Sequence, residues 1–101
     1  MEQSVGLSVV VPLLNEEESL RPLFDKIEDA MAELDITYEV VFVDDGSKDG
    51  SIEVLKELHD RSDNVQVIRF RRNFGKAAAY SAAFSRVKGK YVITMDADLQ
   101  D

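Results

Sequence analysis

The stretch Tyr91-Val92-Ile93-Thr94-Met95-Asp96-Ala97-Asp98-Leu99-Gln100-Asp101 decides how the chain reads. A short apolar, β-branched run leads into two carboxylates separated by one residue, which is the pattern of a buried strand with an acidic tip. Carboxylates this close repel unless something positive lies between them. Mg2+ and Mn2+ meet that need, because they are hard cations that prefer oxygen ligands and bridge carboxylates to a substrate's phosphates. Gln100 offers a further carbonyl oxygen. The expectation is a strand tip where Asp96, Asp98 and Gln100 hold a metal-bound diphosphate.

Working outward, the same type of strand recurs upstream, each time followed by a polar cluster. Leu7 to Val11 is a short apolar strand stopped by Pro12, and Asn15 then caps a helix with Glu18 closing a capping box. The acidic first turn, Glu16 to Glu18, suits the helix dipole. Leu20, Leu23, Phe24, Ile27, Ala30, Met31 and Leu34 recur at helical spacing and form one apolar face. Pro22 falls in or near the first turn, where proline is tolerated. Tyr38 to Val43 is a second strand, ending in the turn-rich loop Asp44-Asp45-Gly46-Ser47-Lys48-Asp49-Gly50. A second helix presents Ile52, Leu55 and Leu58 on one face, with Val54 beside them. Val65 to Phe70 alternates in polarity, as an edge strand does. After the loop Arg71-Arg72-Asn73-Phe74-Gly75-Lys76, an alanine-rich helix from Ala77 to Val87 packs Tyr80, Phe84 and Val87 inward, its small residues allowing a close approach to the sheet.

Strands alternating with helices predict an α/β fold, a three-layer αβα Rossmann-like parallel sheet with strand order 3-2-1-4. In such sheets ligands bind beyond the carboxyl ends of the strands. Every unusual polar cluster falls there: Pro12 to Glu16, Asp44 to Asp49, Arg71 to Lys76, and Asp96 to Asp101. The clusters should meet on one rim.

Each cluster also has a plain structural reading. A D-x-D on a surface is common, and only its place after a strand favours a metal. Asp44 and Asp45 fit either a base or ribose contact or an Asx-turn capping the next helix, and both hold if one Asp meets the ligand while Asp49 or Ser47 caps. The basic loop reads as a phosphate clamp beside a helix N-terminus, or as a solvated offset to the acidic rim. For Pro12 to Glu16 alone, a simple helix cap is the better local reading.

Composition narrows the classes. The chain has 101 residues, 45% of them apolar, and a formal charge of −8, so it is one small globular domain that is ill suited to general nucleic-acid binding. It contains no cysteine, which excludes disulfides and thiolate metal sites. No apolar stretch approaches the roughly 20 residues of a membrane span, and no signal pattern opens the chain, so the expected location as given is cytoplasmic. The single histidine, His59, sits in a polar helical stretch and reads as a surface residue. There is no G-x-G-x-x-G and no G-x-x-x-x-G-K-[ST], which argues against nicotinamide or flavin cofactors and against P-loop NTPases. Ending directly after the acidic pair, the chain reads as the N-terminal part of a longer protein.

Taken together, VVVPLLNEE, VFVDDGSKDGS, RNFGKAAAYSAAF and YVITMDADLQD, in this order and spacing, resemble the family-2 glycosyltransferases of GT-A fold. RNFGK with DADLQD resembles in particular the polyprenyl-phosphate branch, which includes dolichol-phosphate mannose synthase. The resemblance implies that residues 1–101 are the N-terminal nucleotide-sugar-binding part of a glycosyltransferase 2-like domain. It implies that Pro12, Leu14, Asn15 and Glu16 line the nucleotide pocket, with Leu14 standing where many relatives have Tyr. Asp45, with Asp44 beside it, would face base and ribose. Arg72, Asn73, Gly75 and Lys76 would lie near the nucleotide and diphosphate, as would Ala97 between the acids. Asp96 and Asp98 would be the catalytic carboxylates, carrying Mg2+ or Mn2+ together with Gln100. The implied reaction is inverting transfer of a sugar from a nucleotide-diphospho-sugar to a lipid phosphate, in envelope glycan synthesis at the cytoplasmic face of a membrane. The isolated piece is expected to bind nucleotide weakly at most and to be inactive. Two other classes compete: a haloacid-dehalogenase-like phosphatase, which also places D-x-D after a strand, and a non-catalytic response-regulator-like or Rossmann-like binding module.

Overall fold

The structure is a computed structural model that describes residues 5–97. The elements run β1 (Leu7–Leu13), α1 (Leu20–Leu34), β2 (Tyr38–Asp44), α2 (Ser51–Arg61), β3 (Val65–Arg69), α3 (Lys76–Phe84) and β4 (Tyr91–Thr94). All strand pairs are parallel and the sheet order is β3-β2-β1-β4, as the alternation of elements predicts.

The two central strands are apolar on both faces because both faces are covered. Val9, Val11, Leu13, Val40 and Phe42 point to the side where α1 and α2 supply Leu20, Phe24, Ile27, Leu55 and Leu58. Val10, Val41 and Val43 point to the other side, against Ala79 and Ala83 of α3. Full burial of a side chain such as Phe24 or Phe42 stabilises by about 1.5–3 kcal/mol, and these rings also meet at a tilted 6.4 Å.

Several local expectations are corrected. β1 does not stop at Pro12 but runs through it to Leu13. The carbonyl of Val10 faces β4 and that of Leu13 faces β2, so by alternation Pro12 turns its missing N–H toward the β4 side. Pairing with β4 has already ended there, at Val10 opposite Thr94. The proline therefore costs the sheet no hydrogen bond.

Asn15 is not the cap of α1. The helix starts at Leu20 after a turn, with Ser19 at its N-cap, and has no acid in its first turn. Asn15 instead adopts a left-handed backbone (φ 55°), unlike the extended conformation of a capping residue. Pro22 does lie in the first turn.

α3 is shorter than expected. Phe84 is half exposed, and the inward residues are Ala79 and Ala83, with Tyr80 and Val87 partly buried beside them. β4 is not a buried strand: Tyr91, Val92 and Ile93 are all exposed. It pairs only with β1, at the sheet edge, while α3 lies over β1 and β2. His59 is exposed, as expected.

Candidate functional site

The carboxyl ends of the strands are tied to one another by side chains that reach between loops. The loop after β1 is zipped to the loop after β2. The Asn15 N–H donates to Ser47 Oγ at 2.8 Å, and Asn15 Oδ1 accepts the Lys48 N–H at 2.8 Å. The Glu16 N–H donates to Ser51 Oγ at 2.9 Å, and Glu17 Oε1 accepts the Gly50 N–H at 2.9 Å. Asp49 accepts the N–H groups of Ser51 and Glu17. Burial pushes the Asp49 carboxyl up, but hydrogen bonds from the Ser51 side chain and backbone and from the Glu17 N–H outweigh it and hold the group below the ordinary aspartate value.

The loop after β2 is joined to the loop after β3 by Asp45. Its carboxylate accepts the Phe74 N–H at 2.7 Å, the Gly75 N–H at 3.0 Å and Asn73 Nδ2 at 3.1 Å. Gly46 makes the close approach possible. Its φ is +86°, and a Cβ there would lie 2.6 Å from the Asn73 nitrogen. The last link reaches β4, where Lys76 Nζ stands 3.3 Å from Asp96 Oδ1 in an exposed ion pair.

Between these loops lies a cleft of about 350 Å³, lined by Pro12, Leu13, Leu14, Glu16, Asp45, Asn73, Gly75, Lys76, Asp96 and Ala97. All but Leu13 are residues singled out in the sequence, and the fold brings them together. Leu13 was missed, because its place in the wall depends on β1 continuing through Pro12.

Three singled-out residues lie off the cleft. Asn15 braces the loop behind it. Asp44 is fully buried, with Oδ1 accepting the Ser47 N–H at 2.9 Å and Oδ2 without a hydrogen-bond partner among the described residues. The Asx-turn at the start of α2 is made instead by Asp49, whose Oδ1 accepts the Ser51 N–H at 2.9 Å. Arg72 stacks on the Phe74 ring, 4.7 Å from its centroid, and lines a neighbouring hollow with Arg69, Phe70 and Arg71. Asp98 and Gln100 lie outside the described residues.

The chemistry of the cleft is that of a site for a bulky anion. It joins an ammonium and the first turn of α3 to an apolar lip made of Pro12, Leu13 and Leu14. The described residues suit a hard cation in donor type. Asp96 is an exposed carboxylate on the wall, whereas the Asp45 carboxylate is already occupied by three donors. Among the described residues no three His, Cys, Asp or Glu side chains converge on one point.

Comparison with known proteins gives a consistent picture. The family described as Glycosyl transferase family 2 matches residues 8–101. The chain is 43% identical over 101 residues to the undecaprenyl-phosphate 4-deoxy-4-formamido-L-arabinose transferase of Photorhabdus laumondii, covering 99% of this chain and 31% of that protein. It superposes on S. aureus TarS 1-349 in complex with UDP-GlcNAc with a TM-score of 0.79 at 26% identity, covering 93% of this chain and 27% of that one. It also superposes on a mannosyltransferase of Pyrobaculum calidifontis in complex with GDP-Man and Mn2+, with a TM-score of 0.73 at 28% identity, covering 95% of this chain and 28% of that one. The chain spans about a third of the length of the curated relatives it matches.

Proposed function

The chain belongs to glycosyl transferase family 2, and from that premise we propose that it is the nucleotide-sugar-binding part, residues 1–101, of an enzyme that transfers a sugar with inversion to a polyprenyl-type lipid phosphate. The observation that carries the reading is the cleft at the strand ends, where loops distant in sequence bring together an ammonium, the start of α3 and an acidic tip. The similarity to undecaprenyl-phosphate sugar transferases supports the acceptor class. The phosphatase and binding-module alternatives have no comparable support in family or fold.

In this reading Pro12, Leu13 and Leu14 flank the nucleoside. Asp45 holds Asn73 and Gly75 so that their loop meets the ribose and diphosphate. Lys76 exchanges its ion pair with Asp96 for a phosphate oxygen. Asp96 and Asp98, with Gln100, are the groups that would hold Mg2+ or Mn2+. Once bound, such a cation stabilises charge on the departing nucleoside diphosphate. A phosphate acceptor is ionised near pH 7 and needs no strong general base. What remains for the protein is to align donor and acceptor and hold the leaving group. An acceptor of this kind places the whole protein at the cytoplasmic face of a membrane; among the described residues no helix is long and apolar enough to cross one.

The test is calorimetric titration with UDP, GDP and their sugar conjugates, with and without Mn2+. One nucleoside diphosphate should bind only when the cation is present, and Asp96→Ala and Asp98→Ala should each weaken that binding at least tenfold. Binding that ignores both the cation and these substitutions overturns the proposal.

A further inference from the structure

The loop after β3 faces two ways. Asn73 and Gly75 line the cleft, while Arg72 and Phe74 line the hollow of about 540 Å³ beside it, together with Arg69, Phe70 and Arg71. We infer that this second surface docks the protein on an anionic lipid bilayer. The inference rests on the lipid-phosphate reading of the cleft, because it sets the cleft mouth at the level where an acceptor's phosphate would lie.

The first argument is charge. The chain carries 20 acidic and 12 basic residues; Arg21 pairs with Glu57, and Arg61 with Asp25 and Glu28, while Arg86 stands apart just beyond α3. Among the described residues Arg69, Arg71 and Arg72 have no carboxylate within salt-bridge distance, although all three are exposed. On an acidic molecule, a local cluster of uncompensated guanidinium groups is complementary to lipid phosphates on one face only.

The second argument is the aromatic pair. Phe74 is 53% exposed, although a large apolar ring gains by burial. It is held outward edge-on to Phe70 at 5.6 Å, with Arg72 stacked on it. Aromatic rings flanked by cations suit the headgroup level of a bilayer. A site for a free phosphate would have no use for the exposed ring, and a duplex nucleic acid would meet the acidic remainder of the molecule.

The experiment is co-sedimentation of the chain at low salt with phosphatidylcholine vesicles, with and without phosphatidylglycerol. The chain lacks tryptophan, so Phe74→Trp supplies a single fluorescent reporter at the surface. The expected result is binding to the anionic vesicles only, with a blue shift of the reporter's emission. Arg69→Gln together with Arg71→Gln should weaken partitioning by about 25-fold, at about fivefold for each charge removed. Lys56→Gln, on the exposed side of α2, should change it little. Equal binding to neutral vesicles, no binding to anionic ones, equal loss in Lys56→Gln, or a blue shift caused by UDP with Mn2+ alone would each overturn the inference. Nucleotide titration without vesicles is scored separately. Nucleotide binding without vesicle binding removes only the docking surface, and vesicle binding without nucleotide binding removes the proposed function.

Discussion

Asp44 and Asp45 are adjacent in sequence and have opposite fates. As the last residue of β2, Asp44 points into the protein and turns the loop by accepting the Ser47 N–H. Asp45 points across to the next loop and satisfies Asn73, Phe74 and Gly75 at once. Removing that acceptor strands two backbone donors. Asp45→Ala should therefore lower stability by about 2 kcal/mol in urea denaturation, and should weaken nucleotide binding by positioning alone. Asp45→Asn, which keeps one acceptor oxygen, should recover part of both. A third buried carboxylate went unremarked in the sequence. Glu39 is 6% exposed at the opposite end of the sheet, where it accepts the Ser8 hydroxyl, Gln66 Nε2 and the Lys88 N–H. Burial pushes its carboxyl up, but these hydrogen bonds outweigh burial and hold it below the ordinary glutamate value. A depressed pKa stabilises the fold above the ordinary value, and that contribution is lost as pH falls through the folded-state value. The acid limb of a stability–pH profile should accordingly flatten in Glu39→Gln. An unchanged limb would show that other carboxylates govern it. The only signal in the sequence was an acid at an inward position of the β2 alternation.

At the scale of elements, the loops matter more than their composition suggests. Gly46 and Gly75 both have positive φ, but only Gly46 is crowded: a Cβ there would overlap the backbone of Arg72 and Asn73, whereas nothing lies within 4 Å at Gly75. Gly75→Ala should cost the conformational strain alone, about 1–3 kcal/mol. Gly46→Ala should cost more, because the two loops must also separate, and it should open the cleft. Thermal melts of both variants, with nucleotide binding measured beside them, check the order. The helices follow their sequence periodicity in α1 and α2, except that Ala30 and Leu34, expected on the apolar face, are exposed in the last turns of α1, where the buried stripe ends at Met31. In α3 the alanine-rich pattern is apolar nearly all round, so periodicity did not choose between Phe84 and the alanines. Close approach to Val10, Val41 and Val43 chose the alanines. β4 shows the same limit. Its β-branched residues predict a strand, and a strand forms, but burial depends on neighbours that the local pattern does not contain.

For the whole molecule, the dominant electrostatic feature is the net charge of −8, which favours expansion through self-repulsion. The surface ion pairs Arg21–Glu57 and Arg61–Asp25 oppose it, but they are exposed and pairs of that kind contribute little. Screening should relieve more repulsion than attraction, so calorimetric melts should shift upward on raising salt from low ionic strength; a downward shift would mean that the pairs prevail. The alternation of strands and helices was enough for the sequence by itself to determine a parallel α/β sheet of order β3-β2-β1-β4 with the polar clusters at its carboxyl ends, since right-handed crossovers leave few other arrangements. It also carried the family, in motifs whose order and spacing no composition supplies. Only the tertiary structure decided which clustered residues face the cleft. Whether a side chain such as Asn15 or Asp45 turns toward a ligand or toward a neighbouring loop depends on donors and acceptors some 30 residues away, and a local pattern holds no record of contacts at that range.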